Sequence, residues 1–326
     1  MNNIILIVSY GDDVHKRVFE EVAIKNNYKP LLFDAGGYPI ENEELSINFL
    51  DDNLFISVKD KKVDPNDIFG VWWRRPRNRG KDKITAMDRY MQLEGEVLVR
   101  SLRDFLPDVN WVSDPEATRM ACRKPVQLLV AKKLGLKIPD TYLGNSPEGL
   151  LRFLKMLNNK KIIIKPIGTS FIDLSSDGSN SMVVFTKIVE KQLILDNMEM
   201  VKNCPVIFQE AVEKDSDVRI TVVDDQVFCA EVVLSGCSDP DNVDWRNHDG
   251  KRVYTRHELP KEIKLQCIAF TKAMGLRFGC IDMAYSKKNG YTFFEINPQG
   301  QWLPSEIDLG YPISIALLRS LTRQGV

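Results

Sequence analysis

The chain has 326 residues, 44% of them hydrophobic and 27% charged, with a formal net charge of -1. That is a globular composition with ample material for a core, and the length predicts two or three lobes. The near-neutral balance offers no global field to nucleic acid or an anionic membrane, so neither is expected as a partner, and six cysteines without a CxxC pair beside only three histidines argue against a zinc or disulfide framework and fit a reducing cytoplasm.

The opening MNNIILIVSYGDD carries an apolar run too short for a bilayer and no basic segment before it. It reads as a first strand and not as a signal peptide. A helix over 13–26, a strand KPLLFD at 29–34, a polar stretch, and the strands LFISV at 54–58 and VWWRRP at 71–76 predict a small open α/β lobe. A helix over 83–106 follows. Asp114-Pro115 caps a further helical pattern over 115–134 that ends at Gly135. The middle opens with the extended IPDTYL, then Ser146 as N-cap with Pro147 at the first helical position. The strand KKIIIKPI spans 160–167. Residues 168–181 are small and polar and read as a mobile loop, before MVVFTKIV, a helix, and PVIFQEAV at 205–212. Alternating strands turn at Asp224-Asp225, and a polar stretch covers 235–250. A helix runs from Pro260 to Met274, and GCIDMAYSKKNGYTFFEINP reads as a hairpin turning at Lys287–Gly290.

That hairpin carries the strongest chemical signal. Pairing Ser286 with Tyr291 sets Asp282 opposite Glu295 and Cys280 opposite Asn297, with Glu295 and Asn297 on one face. Like charges facing each other destabilise a sheet unless a cation lies between them. Three hard oxygen donors without His or Cys suit Mg²⁺. The pattern equally allows an outward, solvated polar stripe, and a slip of one residue would turn Asp282 away.

Three further places could hold a phosphate or a nucleoside. Lys165 ends an apolar strand beside the small-residue loop, though a strand-end lysine also snorkels. Lys124 sits in ACRKPVQLLVAKKLG and could equally be a solvated helix lysine. In QEAVEKDSDVR, a strand-end backbone could read an adenine edge and Asp217 could accept ribose hydroxyls; a polar connection is the plainer alternative.

In this order, the Lys-x-x-Gln helix, GLKIPDTYL, IIIKP, QE followed by DVR, GCIDM and FFEINPQGQW resemble the ATP-grasp superfamily from about Asp114 to the C-terminus. VWWRRP and NPQGQW are similar to the graspetide (microviridin-type) peptide ligases within it. The resemblance implies an ATP-grasp α/β fold in three parts. These are an N-terminal open α/β domain (1–112), a central domain with a nucleotide-covering loop (113–204) and a C-terminal ATP-grasp domain (205–326). It implies ATP and Mg²⁺ as cofactors, a ribosomal precursor peptide with leader and core as partner, and a homodimer. Lys124 and Lys165 would hold the phosphates, with Thr169 and Ser170 in a loop poorer in glycine than many of its kind. Gln209, Glu210, Ala211 and Val212 would form the adenine hinge and Asp217 would hold the ribose. Asp282, Glu295 and Asn297 would bind Mg²⁺, and Arg219 and Arg246 would face the substrate carboxylate and its acyl phosphate.

The implied reaction activates Asp or Glu side chains and joins them to Thr or Ser hydroxyls or Lys amines as ω-esters or ω-amides. The peptide is expected along 218–233 and 235–250, which includes Trp245, with Glu213 and Asp215 meeting a leader helix. Arg74 either binds peptide acids or ties lobes together, and His248 is either a general base or a solvated loop histidine, with His257 also near in sequence. A ligase for a small molecule or a protein tail, and an inactive peptide-binding scaffold, are the other readings. The retained Lys165, Asp282, Glu295 and Asn297 argue against the scaffold.

Overall fold

The structure is a computed structural model that describes residues 3–39, 43–50, 53–58, 61–76, 85–158, 160–168, 171–173, 181–235 and 251–323. The first lobe runs β1 (Ile4–Ser9), α1 (Val14–Lys25), β2 (Lys29–Asp34), β3 (Leu45–Leu50), β4 (Asn53–Val58), β5 (Lys61–Val63), β6 (Ile68–Trp73), α2 (Ala86–Phe105) and β7 (Asn110–Val112). Strands β2-β1-β6-β7 form a parallel sheet, while β3-β4-β5 form an antiparallel meander, of which the sequence pattern predicts only the strand over 54–58. Both faces of the parallel sheet are apolar, as crossover helices require. Leu6, Val8, Val71 and Trp73 pack with α2 residues Val99 and Leu102, whereas Ile5, Ile7 and Trp72 pack with Phe19 of α1.

The middle contains α3 (Pro115–Ala121), α4 (Lys124–Lys133), β8 (Thr141–Gly144), α5 (Pro147–Met156), β9 (Ile162–Lys165), β10 (Phe171–Asp173), β11 (Ser181–Val183), β12 (Lys187–Val189) and α6 (Lys191–Asp196). Two expectations change here. The pattern over 115–134 is two helices, because Pro125 lacks an N–H and its ring clashes with the carbonyl four residues back. Lys124 therefore opens a helix and does not sit inside one. The stretch 168–181 is not all loop: Phe171–Asp173 pairs antiparallel with Ser181–Val183. The strand β13 (Val206–Glu210) completes the sheet β12-β9-β13-β8 with strands of the middle unit.

The last unit continues with β14 (Ser216–Val223), β15 (Gln226–Ser235), β16 (Lys251–Arg256), α7 (Lys261–Ala273), β17 (Phe278–Ser286), β18 (Gly290–Asn297), α8 (Leu303–Leu309) and α9 (Ile313–Thr322). Five antiparallel strands stand in the order β16-β15-β14-β17-β18. Strand β16 was not expected. One face, with Val218, Ile220, Val222, Ile281 and Met283, packs on α4 and α7 through Leu128, Cys267 and Phe270. On the other face Val223, Phe278 and Cys280 join Trp302, α9 and the first lobe in a shared core. The rest of that second face is polar, and there the candidate residues collect. Among the described residues no helix is long and apolar enough to cross a membrane.

Candidate active site

Arg219 of β14 lies opposite Asp282 of β17, and Asp282 lies opposite Glu295 of β18, so the three form one row across the sheet. The next row holds Thr221, Cys280 and Asn297. The expected pairings of Asp282 with Glu295 and Cys280 with Asn297 are present, but the register near the turn is not the expected one. Ser286 pairs with Gly290 across a three-residue turn, with Gly290 at φ 71°, and the register then shifts beyond Met283 and Phe293. A β-bulge at Phe294 absorbs the extra residue. Without it Phe293 and Glu295 would share a face. With it Phe293 is buried in the core, and Glu295 joins the polar row.

Two cations flank the paired carboxylates. Arg219 Nη1 donates to Asp282 Oδ1 at 2.8 Å and Oδ2 at 2.9 Å, and Lys124 Nζ stands 3.8 Å from Glu295 Oε2. Burial of Arg219 opposes its charge, but the Asp282 carboxylate more than offsets this and its pKa stands above the usual arginine value. Arg219 therefore serves Asp282 first, through Nη1 alone. Two carboxylates and the Asn297 amide oxygen make an all-oxygen donor set at one end of the sheet, which fits a hard divalent ion such as Mg²⁺.

Lys124 Nζ also donates to the Pro166 carbonyl at 3.1 Å, which brings the start of α4 to the end of β9, where Lys165 stands half-buried. Both expected phosphate-binding lysines thus lie on elements that meet beside Glu295. The hinge is more constrained than expected. Gln209 is fully buried; its Nε2 donates to Thr141 Oγ1 at 2.7 Å, its Oε1 has no hydrogen-bond partner among the described residues, and its pairing with Ile163 sets it on the same sheet face as Lys165. Glu210 pairs with Lys160 at 2.9 Å. The N–H groups of Glu210 and Ala211 donate to the carbonyls of Asp140 and Lys161. Asp217 is buried on the site face, with Lys214 Nζ 2.7 and 2.6 Å from its two oxygens. No motif marks Lys214 for that role, although its i,i+3 spacing allows it.

Three other residues are engaged within the protein itself. Arg74 is 1% exposed and cannot lie on a peptide-facing surface. It donates through Nη1 to the carbonyls of Gln299 and Gly300, and its Nε is 3.3 Å from Asp13 Oδ2. Burial and the neighbouring Arg75 push its pKa down to about 10, against the pull of Asp13. Asp215 accepts from the Lys287 N–H at 2.7 Å and so fixes the hairpin turn, while Glu213 is exposed. His257 bonds Glu231 at 3.1 Å and Tyr291 at 2.6 Å, on the sheet face opposite Asp282, so it is not a base in this site. Thr169, Ser170, Trp245, Arg246 and His248 lie outside the described residues.

The connection after Asn297 was legible as a break but not as a contact. Gln299 N–H donates to Asn297 Oδ1 at 3.0 Å, and Arg219 Nη2 donates to the Gln301 carbonyl at 3.2 Å. Gly300 has no alternative: a Cβ there would sit 2.3 Å from Cys280 Cβ. A cavity of about 310 Å³ opens beside Gln299, lined by Tyr38, Trp73, Val99, Thr118 and Cys122 among others. Cys122 is two residues before Lys124 and Gln299 two after Asn297, so the cavity flanks the polar row on the first lobe's side.

No curated protein matches the chain. It is similar to the macrocyclase MdnC of Microcystis aeruginosa MRC bound with precursor peptide MdnA, at 29% identity and TM-score 0.82 over 98% of this chain and 100% of that one. It is also similar to a RiPP-associated ATP-grasp ligase of Chryseobacterium gregarium in complex with ADP and a leader and core peptide, at 27% identity and TM-score 0.82 over 99% and 98% of the two chains. The D-alanine–D-alanine ligase of Bacillus anthracis complexed with ATP shares the fold at 15% identity and TM-score 0.57, over 98% and 96% of the chains. Residues 121–321 match the RimK-like ATP-grasp domain, which holds the whole polar row, and the chain belongs to that family of ATP-grasp ligases.

Proposed function

We propose that the chain is an ADP-forming peptide ligase that closes rings in a ribosomally made precursor. It activates Asp or Glu side chains as acyl phosphates and joins them to Thr or Ser hydroxyls or Lys amines. The observation that carries this reading is likeness over nearly the full length to two ligases whose structures contain precursor, leader or core peptides. The row of Arg219, Asp282 and Glu295, with Asn297 beside it, supplies the charge pattern for phosphoryl transfer.

The chemistry balances as follows. A carboxylate oxygen of the peptide attacks the γ-phosphorus of ATP and ADP leaves. The hydroxyl or amine then attacks the acyl carbon, phosphate leaves with the former carboxylate oxygen, and the nucleophile's proton passes to solvent or a base. Mg²⁺ held by Asp282, Glu295 and Asn297 would neutralise phosphate charge during the first step. Lys124 and Lys165 would bind phosphate oxygens from the ends of α4 and β9. With the Glu210 and Ala211 N–H groups engaged, a purine edge that needs a backbone donor would be read from Val212 onward. Asp217, oriented by Lys214, would meet the ribose. Arg246 would face the acyl phosphate while Arg219 holds Asp282. The cavity beside Gln299 offers room for a core side chain next to the reacting one. The reaction is placed in the cytoplasm, where ATP and the precursor are made.

The test is the intact mass of a precursor encoded beside the gene after incubation with the protein, ATP and Mg²⁺. Loss of one water per ring, with matching ADP, is the expected result. An unchanged peptide, with ADP released on adding free amino acids, would instead make the chain a small-molecule ligase.

The homodimer belongs to the same proposal. Met87, Tyr90, Leu93 and Val97 of α2 recur every three or four residues and are each at least 59% exposed. An antiparallel copy centred near Gln92 would set Met87 against Val97 and Arg89 beside Glu94, a self-complementary pattern. Leu93→Asp should convert a dimer to a monomer on size-exclusion chromatography with light scattering; a wild-type chain that is already monomeric contradicts this.

A further inference from the structure

Four successive residues after Asn297 are gripped from outside their own loop. The Gln299 carbonyl accepts from Arg74 and Arg75, the Gly300 carbonyl from Arg74 at 2.9 Å and the Gln301 carbonyl from Arg219 at 3.2 Å. Trp302 N–H donates to His15 Nε2 at 3.2 Å. Three of the four gripping side chains come from the first lobe. They are themselves braced: Asp13 accepts from Ser9 Oγ at 3.0 Å, lies 3.2 Å from His15 Nδ1, and stands beside Arg74. Because His15 Nε2 accepts, its proton resides on Nδ1 and points to Asp13.

An enclosed guanidinium is costly to desolvate, and an apolar side chain would pack lobes together at lower cost. Arg74 nevertheless directs Nη1 at two adjacent carbonyls of one turn. That turn ends in the Gln299 N–H that holds the Asn297 amide oxygen. We infer that Arg74 is a positioning residue: through Gln299 it orients the Asn297 carboxamide, so that the first lobe sets the divalent-ion end of the phosphate site. The inference rests on the proposed reading of Asn297 as a ligand of that ion.

The experiment uses the whole protein and the probe AMPPNP, with dissociation constants measured by calorimetry in Mg²⁺ and in EDTA. Arg74→Met should weaken binding in Mg²⁺ by about tenfold, the size of a lost partner behind a metal ligand, and change binding in EDTA little. In an Asn297→Ala background the same substitution should have no further effect. Arg75→Gln loosens the same carbonyl from a half-buried position and should show a smaller loss of the same kind, which serves if Arg74→Met does not fold. Equal losses in Mg²⁺ and EDTA, or a loss that persists in Asn297→Ala, overturn the inference and leave Arg74 as lobe packing. Wild-type binding that is indifferent to Mg²⁺ removes the reading of Asn297 itself, and the inference with it.

Discussion

Glu295→Gln lowers ATP-dependent turnover by about 10³-fold and leaves the fold intact. The size follows from removing one anionic ligand from a site where a metal ion stabilises developing phosphate charge by several kcal/mol, at roughly 1.4 kcal/mol per factor of ten. The fold survives because glutamine has the same shape and Glu295 faces Asp282 across the strand pair. Removing one of two opposed like charges relieves repulsion. Lys124, 3.8 Å away, loses only a partly exposed partner. Thermal melting at unchanged or slightly higher temperature, together with lost ADP release, is the expected pair of results. Full ADP release by Glu295→Gln would mean that the carboxylate row is structural.

Arg219→Met is expected to act on stability as strongly as on activity, by about 3–5 kcal/mol, the range for removing one partner of a buried pair. The substitution takes two hydrogen bonds from the Asp282 carboxylate, which is 13% exposed, both made by Arg219 Nη1. It also frees the Gln301 carbonyl, and with it one grip on the turn after Asn297. Adding Asp282→Asn should recover part of the stability, since the charge that Arg219 balanced is gone, but none of the activity. Urea denaturation of both single variants and the double variant measures the coupling. A loss of Arg219 that costs under about 1 kcal/mol would place the pair among weakly contributing surface ion pairs.

Much of the site could be read from the hairpin because its information is local. Alternation, one turn and the Asn-Pro break predict Asp282 opposite Glu295 from that segment alone. Even there the inferred turn was off by one residue, and the match at the far end depends on the Phe294 bulge, which no alternation pattern displays. Pro125 was visible in the sequence as a helix breaker and shows how Lys124 comes to head a helix. The ribbon of Phe171–Asp173 with Ser181–Val183 was masked by its small polar connection. Arg74 was the hardest case. The segments VWWRRP and NPQGQW were both singled out, yet they lie about 225 residues apart, and only the folded chain brings the guanidinium onto the Gln299 and Gly300 carbonyls. Asp215 carries a residue type common in binding sites, but it accepts from the Lys287 N–H of the hairpin turn. Residue type alone does not distinguish a ligand contact from an internal one.

The most direct test of the account follows the oxygen that leaves the peptide. A precursor with ¹⁸O-labelled Asp and Glu side chains is incubated with the protein, ATP and Mg²⁺, and the released phosphate is weighed. Activation as an acyl phosphate predicts one ¹⁸O in the phosphate for each ring closed, and neither ring nor labelled phosphate with Glu295→Gln. Rings that form while the phosphate carries only unlabelled oxygen would contradict carboxylate activation in this site.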